Sequence, residues 1–132
     1  MRDLVLIPLL ACAAAGVWLI GMGVWIALFP RRALAALAAM GGTPVIHFGE
    51  MSVRLLAGVA LVAAGPVSRF PAVISLIGGF LILSALVLMA LPRRWHAAYS
   101  TWWAARIPVP AARLVAPFSM IGGAALIWAV LP

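Results

Sequence analysis

The sequence has no lysine and only two acidic residues, Asp3 and Glu50, against nine arginines, giving a formal charge of +7. Charged residues are 8% of the 132 and apolar residues 67%, with a mean hydropathy of +1.25. A water-soluble domain covers its core with polar side chains, about a quarter of its residues being charged. That cover is missing here, so the solvent for most of the surface is lipid. The single cysteine, Cys12, excludes an internal disulfide. Equally absent are a glycine-rich phosphate loop, an acid pair, a nucleophile with a base near it, and a Cys/His metal motif. No loop is long enough for a soluble catalytic domain, and the expectation is a non-enzymatic chain. A basic balance can mark nucleic-acid binding. These arginines stand at the ends of apolar runs instead, which suits lipid headgroups and predicts no nucleic-acid partner.

What is present is a set of four apolar runs in one domain, 1–132. A helix needs about 20 apolar residues to cross the hydrocarbon core. The runs predict spans at 4–29, 51–66, 71–91 and 114–131, an all-α integral membrane protein. Leu9-Leu10-Ala11-Cys12 is shaped like a lipoprotein signal, but Ala13 to Phe29 continues apolar where a mature lipoprotein turns polar, so the first run is expected to stay as a span. Pro8 and Pro117 lie near the starts of their helices, where a missing N–H costs little.

Pro66 to Pro71 is a tight turn, whereas the other two connections are long. In the first, Leu34, Leu37 and Met40 recur at helical spacing, and Gly41-Gly42 reads as a helix stop. In the second, Trp95, Tyr99, Trp102 and Trp103 share one helix face, opposite Arg94, Thr101 and Ala105. Short helices lying in the headgroup layer are expected at 31–41 and 93–105. Each follows a Pro-Arg-Arg and leads, past a proline, to an Arg-Leu pair opening the next span. This repeat predicts two tandem hairpins, each carrying a shelf.

Seven arginines fall on the side of the long connections, with only Arg2 and Arg69 on the other. By the positive-inside rule the shelf side is cytoplasmic in a bacterial inner membrane, leaving both termini periplasmic.

Glu50 and Arg54 stand four apart at the start of the second span, on one helix face, with His47 three residues before Glu50. Ionisable residues below the headgroups are functional candidates; the competing reading is a structural ion pair that carries a short span into lipid. His47 is expected to precede the helix. Together with His96 it is too sparse a set for a metal site. Trp95, Tyr99, Trp102 and Trp103, with Arg93 and Arg94, are candidates for contact with lipid or a partner. Gly16, Gly21, Gly23, Ser75, Gly79, Ser119 and Gly123 are the candidate helix-packing positions, because small residues let backbones approach.

These features rank three functions. First is an accessory subunit of a larger membrane complex, respiratory or photosynthetic, or a homo-oligomer. Second is a small transporter or channel using Glu50 and Arg54. Third is a membrane protein that binds lipid or quinone. No resident cofactor is expected, though bound lipid, quinone or pigment fits the shelf.

Overall fold

The computed structural model describes residues 2–132. They form six α-helices and one 3-10 turn: α1 (Arg2–Leu28), α2 (Pro30–Ala39), α3 (Pro44–Ala64), the turn (Gly65–Val67), α4 (Pro71–Ala90), α5 (Arg93–Arg106) and α6 (Val109–Val130). Four of them, α1, α3, α4 and α6, are long and apolar enough to cross a membrane, which marks a multi-pass membrane protein.

Proline sets most of the helix starts. It occupies the first or second position of α2, α3, α4 and α6, where its fixed φ is already helical and no hydrogen bond is lost. At α3 the Thr43 hydroxyl caps the helix by accepting from the Ile46 N–H at 3.2 Å. This Thr-Pro start carries α3 back to Pro44, ahead of the expected Met51, and places His47 inside the helix rather than before it. Likewise α6 opens at Val109, ahead of the expected Leu114. At the other end of α2, Gly41 has φ +72°, a left-handed value that stops the helix.

The closest helix pairs are α1 with α6 and α3 with α4; α1 also touches α3, and α2 lies on α5. The expected tandem pairing, first span with second and third with fourth, is therefore not the close pairing found. Glycine explains the choice. A methyl added to Gly16 would come 2.7 Å from the Gly123 carbonyl oxygen, and one on Gly23 would come 2.7 Å from that of Ala116. The other pair crosses the same way, a methyl on Gly58 meeting the Gly78 carbonyl oxygen at 2.8 Å and one on Gly78 meeting that of Gly58 at 2.7 Å. Only a residue without Cβ permits such backbone contact in lipid. Ser119 adds a hydrogen bond from its hydroxyl to the Leu19 carbonyl, 2.7 Å. Ser75 packs against Gly65. A methyl added to Gly21 or Gly79, by contrast, would meet nothing within 4 Å among the described residues.

The two halves bury the same positions. Among the described residues, Cys12, Gly16 and Gly23 are the buried ones of α1; Ile74, Gly78 and Ala85, each 62 positions on, are those of α4. In α3 the buried set includes His47, Met51, Gly58 and Ala64, and in α6 it includes Ala112, Ala116, Gly123 and Ala129, each 65 positions on. Each half's first span packs on the other half's last. Cys12, Leu61, Ala64, Ile74, Ala129 and Val130 close the core where all four spans meet.

Candidate functional site

The repeat breaks at the end of the bundle where α2 and α5 lie. His47, the fourth residue of α3, occupies the register that holds Ala112 in α6. A histidine there is not needed to fill space, since the equivalent position is filled by a methyl. His96 meets it from α5: their Nδ1 atoms are 2.9 Å apart, and the rings are 1% and 7% exposed. One turn along α3, Glu50 turns Oε2 towards His96 Nε2 at 3.8 Å and accepts from Arg54 through Oε1 at 2.8 Å. Four groups separated by up to 49 positions in sequence thus form one line: Arg54, Glu50, His96, His47.

Arg93 holds the joint shut. Its Nη1 donates to the carbonyls of both Gly41 and Gly42 at 2.8 Å. This draws the link between α2 and α3 onto α5, so closely that a methyl on Gly41 would stand 2.8 Å from the Ala97 nitrogen and 3.1 Å from His96 Nδ1. Gly41 is thus required twice, for its left-handed backbone and for this contact. Burial pushes the His96 imidazole below its ordinary value; the Glu50 charge opposes that shift, and His47 and Arg54 add to it.

Beside this line is a cleft of about 310 Å³, lined by Arg54, Leu88, Leu91, Trp95, His96 and Tyr99. Its walls come from α3, the end of α4 and α5. Leu88, Leu91, Trp95 and Tyr99 make it largely apolar, while Arg54 and His96 are the basic residues in its lining. Trp102 and Trp103 do not line it. They stack edge-on with ring centroids 5.0 Å apart, Tyr99 meets Trp103 at 6.2 Å, and the Arg106 guanidinium lies 3.9 Å over the Trp102 ring. Arg94 is exposed, whereas Arg93 is committed within the chain.

The structure therefore gathers Glu50, Arg54, His47, Trp95 and Tyr99 from the sequence-stated candidates and adds His96 to their centre. The sequence set His96 beside His47 only as too sparse a pair for a metal, because a contact across 49 positions leaves no mark in local sequence. Among the described residues no three His, Cys, Asp or Glu side chains are grouped so as to hold a metal ion. Compared with known proteins, the chain matches no family model, no curated protein and no solved structure.

Proposed function

We propose that this chain is a non-enzymatic membrane protein that binds the polar ring of a quinone-type amphiphile in the cleft between α3, α4 and α5. The observation that carries the reading is the lining: apolar and aromatic walls that include the basic side chains of Arg54 and His96. Ligand pockets of about 300–1,000 Å³ combine apolar walls with a few convergent polar groups in this way. Arg54 is already neutralised by Glu50, so the site offers hydrogen bonds without net charge, which suits quinone carbonyls better than a phosphate headgroup. In this reading α2 and α5 lie in the headgroup layer, with Trp95, Tyr99, Trp102 and Trp103 at the interface. The arginine-rich end faces the cytoplasm of a bacterial inner membrane, and both termini face the periplasm.

The test is quenching of Trp95 fluorescence by a short-chain quinone added to the purified protein. We expect saturable quenching, weakened about tenfold by Arg54→Gln, the loss of one good hydrogen bond. Quenching that never saturates, or a phospholipid retained in place of quinone in mass spectra, overturns it.

An accessory-subunit role is a second reading, favoured by Gly21, Gly79 and Gly122, where an added methyl would meet nothing within 4 Å among the described residues. Such positions suit close approach by helices of another protein. Mild-detergent extraction that yields only a lone monomer would exclude it.

A further inference from the structure

We infer that His47 and His96 form a binding site for one proton, and one only, with the Glu50 carboxylate as its counter-ion. The inference goes beyond the cleft reading and stands without a ligand.

Two imidazole nitrogens 2.9 Å apart share a single hydrogen, because two would collide and none would set lone pair against lone pair. Glu50 Oε2 decides which ring supplies it. As a carboxylate oxygen it faces His96 Nε2, which must carry a hydrogen to face it favourably. The His96 Nδ1 is then the acceptor, and His47 Nδ1–H the donor. This leaves His47 Nε2 as a bare acceptor. Among the described residues it is buried without a partner, as is Glu50 Oε2. Buried acceptors left unpaired are costly and seldom kept without a use. The equivalent register in α6 is Ala112, so the fold does not impose this cost for packing.

A proton arriving at His47 Nε2 converts that bare acceptor into an N–H donor. The ring becomes a cation, and the charge spreads through the Nδ1–H···Nδ1 bond to His96. Glu50 then closes its 3.8 Å gap and accepts from His96 Nε2–H, so that one proton is taken up and Glu50 Oε2 gains a partner. A second proton would have to occupy the single shared Nδ1 position, which the 2.9 Å separation forbids. The charged groups bearing on the pair are Glu50 and Arg54 from α3; Arg93, on α5 with His96, is engaged by the Gly41 and Gly42 carbonyls.

The test uses the full chain, labelled with nitrogen-15 histidine, in lipid nanodiscs without added ligand. Expected first is a scalar coupling between the two Nδ1 nuclei across the hydrogen bond, with His96 as the Nε2–H tautomer. On acidification one proton should enter the pair. Glu50→Gln should move that step down by about one pH unit, since an opposite charge is lost; Arg54→Gln should move it up. Absence of the coupling, or two independent histidine titrations indifferent to Glu50→Gln, overturns the inference. Neither outcome bears on quinone quenching, so the two readings fail separately.

Discussion

The two halves of the chain bury matching positions along the spans, yet only one of the two joints between a span and a short helix, α3 with α5, is polar. Where α3 carries His47 against His96, α6 carries Ala112; His96 itself stands four residues after Pro92, as Leu34 stands four after Pro30. The glycine crossings are the opposite case. Gly16 with Gly123 and Gly58 with Gly78 are equivalent contacts, made twice with the same chemistry. The difference separates what the architecture requires from what it only tolerates. Crossing glycines are required in both halves; the histidine line is not.

The largest effect should come from the crossings. Gly58→Ala or Gly123→Ala forces a methyl into a carbonyl of the facing helix, which cannot rotate away, and should cost about 2–3 kcal/mol in reversible denaturation. Gly79→Ala, one position from a crossing, should cost nothing in the isolated chain. Equal losses at Gly78 and Gly79 would break the distinction.

Next in size is the histidine joint. His96→Ala strands His47 in a buried site and should cost about 1–3 kcal/mol. The double change His47→Ala with His96→Leu copies the apolar counterpart and should return stability to within about 1 kcal/mol of the parent, because removing both partners leaves no unpaired group. A double variant worse than the single one would mean the halves are not interchangeable there.

Smallest is the pH effect. His96 is held below its ordinary value of 6.5 in the fold, so on acidification the unfolded chain takes up the proton first. Stability should be flat above that value and fall as pH drops from it towards the lowered one, at up to about 1.4 kcal/mol per unit. Thermal unfolding between pH 8 and pH 5 should show this slope, and His96→Gln should lose it.

The four spans were legible because hydropathy and length suffice for them, and the short helices because Pro-Arg-Arg and Gly41-Gly42 punctuate the chain. Helix pairing was not. In lipid the core-facing and outward-facing positions are equally apolar, so α4 carries no periodic mark to show that Gly78 faces α3 and Gly79 faces out. The repeat was read from signals alone, whereas the pairing of α1 with α6 depends on contacts such as Gly16 with Gly123, more than a hundred positions apart. Within the site, Glu50 and Arg54 announced themselves by spacing. Their extension to His47 depended on recognising Thr43-Pro44 as a helix start, and their extension to His96 on a tertiary contact.

The exchanged pairing also has a consequence for how the chain is made. α1 is synthesised before the other helices described and its partner α6 after them, so the Gly16 face stays without that neighbour until α6 has emerged. The α3–α4 pair, adjacent in sequence, can close meanwhile and hold the place. The first helix must therefore wait in the bilayer or its insertion machinery with a glycine seam exposed. A ribosome stalled before α6 should leave α3 and α4 engaged and α1 open to capture by other small-faced helices.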